Sequence, residues 1–253
     1  MNKLNLILRL AFFLSVFIGL VLYYPPTEVE LETALKAPFQ DPYHILGKDR
    51  LGRDIYALYS YGILSTFVTA IPARLLTLSL AALSSLLSFS LGKYFETVLQ
   101  MFSSVLISLP SLLIALVVVN ALNTGFFAML LAIILSDWAM TYESVQSKIR
   151  EILGSGQAIA SRAMGAGKIH IFKNHILPET RSIFYVLFIT GIPSVIMTIA
   201  IFSFLGIDFT ADVFGPGLGE QISFSKDYFD KSPLSLIMPT IGIFLLVYSF
   251  RKR

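Results

Sequence analysis

Two short segments of this chain carry the residue types most able to do work. The first reads His44-Ile45-Leu46-Gly47-Lys48-Asp49-Arg50-Leu51-Gly52-Arg53-Asp54. Its charges alternate in sign, and its glycines permit tight backbone geometry; such charges either pair among themselves or meet an outside partner. The second reads Ile159-Ala160-Ser161-Arg162-Ala163-Met164-Gly165-Ala166-Gly167 and closes on His175-Ile176-Leu177-Pro178. It is basic, punctuated by glycine and set between long apolar runs, the kind of insert that a soluble partner can grip and move. Ile169, Phe172 and Ile176 recur there at helical spacing and form an apolar stripe. That stripe suits a membrane surface or a partner's groove.

Other chemistry finds little footing. There is no phosphate-cradling G-x-x-x-x-G-K-S/T segment, and the glycine-rich Gly215 to Gly219 stretch lacks the lysine. With no cysteine, disulfides, thiolate metal sites and cysteine nucleophiles are excluded. His44 stands apart from His170 and His175, and those two are five apart, off the i, i+4 spacing of a helical metal pair. No catalytic residue, metal site or bound cofactor is therefore expected. Ionisable residues inside apolar spans read as functional by default. Arg74, about twelve residues or ~18 Å into its span at 1.5 Å per residue, is expected to face a pathway. Asp137 either pairs with a basic residue of a partner subunit or lies, like Glu143, at the membrane boundary near Lys148 and Arg150.

The elements that must position these residues are membrane spans. Of 253 residues, 55% are hydrophobic and only 14% charged, against about 25% charged in soluble domains. Mean hydropathy is +0.75. Runs of roughly 20 apolar residues match a bilayer core, and six helices are expected over about 6–24, 62–91, 98–122, 126–142, 182–206 and 234–250. Prolines 72, 110, 193 and 239 fall within spans and predict kinks. Ser103, Ser104 and Ser108 either serve carbonyls freed near Pro110 or pack at helix crossings. Tyr23-Tyr24-Pro25-Pro26 follows the first span where a small-x-small cleavage site would stand, so that span reads as an uncleaved anchor. The domain division expected is 1–61, an anchor with an external segment, and 62–253, a transmembrane domain carrying a cytoplasmic loop at about 148–181. Most Lys and Arg fall on the side shared by the two termini, including Lys148, Arg150, Arg162, Lys168, Lys173, Arg181 and the closing Arg251-Lys252-Arg253. The opposite loops are richer in Asp and Glu, so both termini are expected in the cytoplasm.

Taken in order and at their separations, these segments resemble the inner-membrane permease subunits of bacterial ATP-binding-cassette importers, in the branch that handles dipeptides, oligopeptides and nickel. His44, Gly47, Asp49, Gly52, Arg53 and Asp54 match that branch's H-x-L-G-x-D-x-L-G-R-D signature. Residues 159–178 resemble the permease loop written E-A-A, three residues, G, nine residues, I-x-L-P, with Gly165 and Pro178 in place. Phe204-Leu205-Gly206 and Pro216-Gly217-Leu218-Gly219 resemble later stretches. Ile159-Ala160-Ser161 stands where Glu-Ala-Ala is usual, and Leu218 where a tryptophan is common. The resemblance implies an all-α fold of the type I importer permease kind, with about six transmembrane helices and a cytoplasmic coupling helix. It implies a second permease, two ATPase subunits holding ATP and Mg, an extracytoplasmic binding protein, a lipid bilayer of the inner membrane and no nucleic acid. It further implies a coupling loop in which Ala160, Arg162, Gly165, Ala166 and Pro178 shape the contact and Ile169 and Phe172 anchor it. An ion-gradient transporter would show paired half-repeats and intramembrane carboxylates, and an embedded enzyme a convergent catalytic set; neither pattern is visible. A non-catalytic assembly subunit is the remaining alternative.

Overall fold

Lipid offers backbone groups no hydrogen-bond partner, so a chain this apolar must satisfy them within helices. The computed structural model, which describes residues 3–122, 126–207 and 211–250, is built of helices, with one isolated bridge between Lys48 and Asp54 and no strand among the described residues. Asp208 and the closing Arg251-Lys252-Arg253 lie outside the described residues. The order is α1 (Lys3–Leu22), α2 (Ile55–Leu91), α3 (Lys93–Ser108), α4 (Ser111–Ala121), α5 (Phe126–Leu153), α6 (Gly156–Ala163), α7 (Lys168–Ile171), α8 (Leu177–Phe204), α9 (Ala211–Phe214), α10 (Leu218–Ser225) and α11 (Pro233–Phe250). Among the described residues five helical runs are long and apolar enough to cross a membrane. The third expected span, about 98–122, is not one kinked helix: α3 and α4 meet at Leu109-Pro110 with a 96° bend. Proline has no N–H and disfavours helix in the residue before it, and Leu109 is extended at ψ 141°. Ser108 bonds the Val105 carbonyl in the last turn before the break, whereas Ser103 bonds the Gln100 carbonyl well inside α3 and Glu143 of α5.

The chain divides into two compact units, Pro72–Gly191 and Met1–Ile71 with Ile192–Arg253. In the first, α3 and α4 pack on α5. Trp138 and Tyr142, one turn apart on α5, meet Ser84 and Ser88, one turn apart on α2: Trp138 Nε1 donates to Ser84 Oγ at 3.2 Å, and Tyr142 Oη lies 3.1 Å from Ser88 Oγ. Beyond them Val145, Ile149 and Ile152 form a buried cluster with Ile171 and Ile176. α7, a single π turn (Phe172–Ile176) and α8 run on as one helical rod from Lys168 to Phe204. The second stretch of the expected loop is thus the start of a span, not a separate surface helix.

In the other unit, Tyr56 donates to the Ser15 carbonyl at 2.5 Å and Tyr61 to that of Tyr23 at 2.9 Å, which ties α2 to α1. Tyr248 reaches Asn5 at 3.1 Å and brings α11 against α1. Gln221 of α10 is buried, and its amide donates to the carbonyls of Leu58 at 2.7 Å and Pro216 at 2.8 Å. Replacing it by leucine removes both donors from a dry site. Gln221→Leu is expected to lower stability by about 1–3 kcal/mol, read as an earlier thermal transition in detergent, whereas Glu32→Gln on the exposed surface leaves it in place.

Candidate functional site

Two modules and one buried pair gather the candidate residues. The first module is the connection from α1 to α2. Asp54 caps α2, its Oδ1 accepting from Ala57 N at 2.8 Å, while His44 Nδ1 donates to its Oδ2 at 2.9 Å. Asp49 Oδ1 accepts from the backbone N–H groups of Leu51 and Arg53 at 2.9 and 2.8 Å, and Oδ2 from Arg53 Nε at 2.9 Å. Lys48 Nζ donates to Glu30 Oε2 at 2.8 Å and Thr33 Oγ1 at 3.0 Å. The chain turns left-handed at Gly47 (φ 80°) and Gly52 (φ 77°), where a Cβ would overlap the carbonyls of Lys36 and Glu30. All six signature residues are therefore brought together, and their charges are spent on one another. Arg50 lies between Phe224 and Tyr228, its guanidinium carbon 4.8 Å from each ring centroid. Glu30 and Thr33 were not legible as partners of Lys48, because they lie in a stretch of their own well upstream.

The second module is the connection from α5 to α8. Ser155 caps α6, accepting from Ala158 N at 3.3 Å. Gly165 ends it in the left-handed region at φ 88°. Gly165 N bonds the Arg162 carbonyl at 2.9 Å and Ala166 N that of Ser161 at 3.0 Å, the paired bonds of a Schellman ending. The positive φ of this turn, and not crowding, favours glycine at 165, because a Cβ there would meet open space. Ala160, Arg162, Ile169 and Pro178 are exposed, and Ala166 is half-buried. Phe172 differs from expectation: it packs against Phe89 and the Val145–Ile176 cluster, so Phe172 and Ile176, but not Ile169, face the protein's own bundle. The outward apolar side chains are instead Ile159, Met164 and Ile169, the last 73% exposed. His170 and His175, expected on different faces, have ring centroids 6.5 Å apart, because a π turn bonds i to i+5 and brings that spacing into register. His175 Nε2 also lies 2.9 Å from Ser161 Oγ, which fastens α6 to the rod. No group of three or more His, Asp or Glu suited to a metal ion occurs among the described residues.

The ionisable residues of the spans pair within the chain. Arg74 is 3% exposed. Its guanidinium bonds Asp137, Thr141 Oγ1 at 3.1 Å and the Leu187 carbonyl at 3.1 Å from Nε and 2.5 Å from Nη2. A Cβ at Gly191 would overlap that guanidinium, so only glycine leaves room for it. Arg74 and Asp137 thus answer each other within this chain. Glu143 accepts from Ser103 Oγ at 2.6 Å and lies 3.6 Å from Arg150, which also pairs with Glu96 at 3.2 Å.

Residues 78–251 match the family described as binding-protein-dependent transport system inner membrane component. The chain belongs to this family of permeases. The permease is 26% identical over 227 residues to the nickel transport system permease protein NikC of Escherichia coli, covering 90% of this chain and 80% of that one. It is 24% identical over 245 residues to the oligopeptide transport system permease protein OppC of Bacillus subtilis, at 97% and 79% coverage. It is 25% identical over 253 residues to the dipeptide transport system permease protein DppC of Alkalihalophilus pseudofirmus, at 98% and 82% coverage.

Removing one member of the buried pair strands the other. Asp137→Leu in this permease is expected to cost about 3–5 kcal/mol, and the double change Arg74→Met with Asp137→Leu to recover most of it, as measured by thermal unfolding of each purified variant. In the first module the Lys48 hydrogen bond, together with that of Thr33, holds the Glu30 carboxyl below its usual range. A lowered folded-state value stabilises above the unfolded value and is lost as pH falls through the lowered one. Amide protection factors across residues 30–54, corrected for the intrinsic pH dependence of exchange, are therefore expected to fall as pH drops below the ordinary glutamate range, and Glu30→Gln to remove that part of the pH dependence.

Proposed function

We propose that this permease forms half of the translocation pathway of an ATP-driven importer for short peptides or nickel and related metal complexes, and is itself no ATPase. The observation that carries the coupling role is the exposed apolar face of Ile159, Met164 and Ile169 on a loop fixed to a continuous rod by the Gly165 turn and the Ser161–His175 bond. Its partners in this reading are a second, similar permease, two ATPase subunits that bind ATP with Mg, and an extracytoplasmic binding protein that delivers the cargo. The chain lies in the cytoplasmic membrane with both termini inside, so that residues 148–181 meet the ATPases and residues 25–54 face outward.

One ATPase receives α6 and the turn after it. Burying the three apolar side chains contributes about 1.5–3 kcal/mol each, partly offset by ordering and docking costs. Arg162, Lys168 and Lys173, all exposed, steer the encounter. Because α7, the π turn and α8 are one rod, a displacement of α6 passes along α8 rather than being absorbed in a flexible joint. On the other side the charges of residues 44–54 are already satisfied, so Phe39 and Tyr43, each 81% exposed, are what that module offers the binding protein.

Gly165→Arg cannot keep the left-handed turn without strain of roughly 1–2 kcal/mol, and it projects a long side chain into the docking face. It is expected to abolish substrate-stimulated ATP turnover in the reconstituted transporter while the variant still inserts in the membrane. In the same preparation, an impermeant amine reagent is expected to reach Lys168 and Lys173 only from the cytoplasmic side. Labelling of these lysines on intact cells would overturn the orientation, and full ATPase stimulation with Gly165→Arg would overturn the coupling role.

A further inference from the structure

An open recess of about 850 Å³ lies beside the end of α1 and the connection to α2, within the unit formed by Met1–Ile71 and Ile192–Arg253. Tyr24, Glu28, Tyr43 and His44 are among its walls. Its charged and polar groups divide by what they leave free. The cations Lys48 and Arg53 also line it, but their side chains are only 6% and 10% exposed. Both are already spent, Lys48 on Glu30 and Thr33, and Arg53 on Asp49. The groups left over are acceptors. Glu28 is exposed and pairs with no cation among the described residues. His44 donates from Nδ1 to Asp54, which leaves a lone pair on Nε2 and no partner for it among the described residues. Asp54 is itself held as the cap of α2, so it fixes the ring that it bonds.

A recess whose reachable groups are a carboxylate and a bare imidazole nitrogen takes a cationic donor. The two acceptors stand on separate stretches of chain, which suits the three spreading donors of an ammonium better than the single plane of a guanidinium. The surroundings carry the same sign. Residues 25–35 hold Glu28, Glu30 and Glu32 and no Lys or Arg, and of the three glutamates Glu30 alone pairs with a cation. Lys36, which follows, is turned to Asp41 at 3.8 Å. Such a field draws a basic partner and speeds its encounter. Tyr43 makes the recess continuous with the face that the importer reading gives to the binding protein. Resting on that reading, we propose that the recess seats one lysine of the extracytoplasmic binding protein. Its ammonium lies between the Glu28 carboxylate and His44 Nε2, and its apolar stem runs along the exposed rings of Tyr24 and Tyr43.

The test titrates the complete transporter in nanodiscs with the purified binding protein of the same transporter. Glu28→Lys is expected to raise the dissociation constant about tenfold, within the range of one hydrogen bond to a charged group. In His44→Asn the amide still donates to Asp54 but nothing replaces Nε2, so affinity should fall by about fivefold while the thermal transition stays in place. A zero-length carbodiimide should join Glu28 to a lysine of the binding protein, as read by mass spectrometry, and Glu28→Gln should remove that link. Unchanged affinity in both variants, or carbodiimide links to the binding protein only from other carboxylates, would overturn the proposal. ATP turnover stimulated by the binding protein separates the two levels. Intact stimulation without the Glu28 link sinks this proposal alone, whereas no stimulation of the unmodified transporter sinks the importer reading and this proposal with it.

Discussion

The guanidinium of Arg74 fixes more of this structure than any other group. It is buried where three helices meet, and each supplies part of its surroundings: Asp137 and Thr141 from α5, the Leu187 carbonyl and the bare Gly191 backbone from α8. In a soluble protein a buried ion pair is often replaceable, because the cost of drying both charges rivals their attraction. Within a bilayer an unpaired charge has few other remedies. The arrangement is therefore discrete: α2, α5 and α8 meet at this depth and rotation, or a cation is stranded.

Once Asp137 is set against Arg74, the register of α5 along α2 follows. Trp138 comes opposite Ser84 and Tyr142 opposite Ser88, one turn for one turn. The next turns of α5 present Val145, Ile149 and Ile152 to Ile171 and Ile176 at the base of the loop. The position of the loop between α5 and α8 therefore depends on a polar contact several turns away, relayed by a row of side chains on α5. The Ser161–His175 bond and the Gly165 ending then carry that position outward to α6.

Hydropathy made the spans legible, because a run of some 20 apolar residues has few other uses. The break at Leu109-Pro110 was readable as a proline but not as a 96° bend, since the angle depends on how α4 packs against α5. The stripe of Ile169, Phe172 and Ile176 was visible as an apolar face. Periodicity marks such a face and not what meets it: Phe172 and Ile176 meet the chain's own cluster, whereas Ile169 stays 73% exposed. The same limit applies to Arg74 and Asp137. Each was recognisable as a costly residue in a span, yet 63 positions of separation hid that they answer each other. Within residues 44–54 the alternation of charge was local enough to suggest mutual pairing, whereas Glu30 and Thr33 were beyond that reach.

The two modules differ in what they leave unsatisfied, and that difference separates their roles. Around Asp49 and Asp54 nearly every donor and acceptor is met within the segment, and both aspartates are under a tenth exposed. Such a unit has a single well-defined shape without any partner. The loop after α5 is equally well fixed in its backbone, but it holds Met164 and Ile169 out at 82% and 73% exposure beside Arg162 and Lys168. A rigid backbone prevents these side chains from turning inward to reduce their contact with water. Rigidity without satisfaction leaves burial free energy uncollected, at about 25 cal/mol per Å² of apolar surface, until another surface closes over it. In the proposed coupling role, docking there would require little reordering of the loop and so would leave more of that free energy for moving the rod behind it.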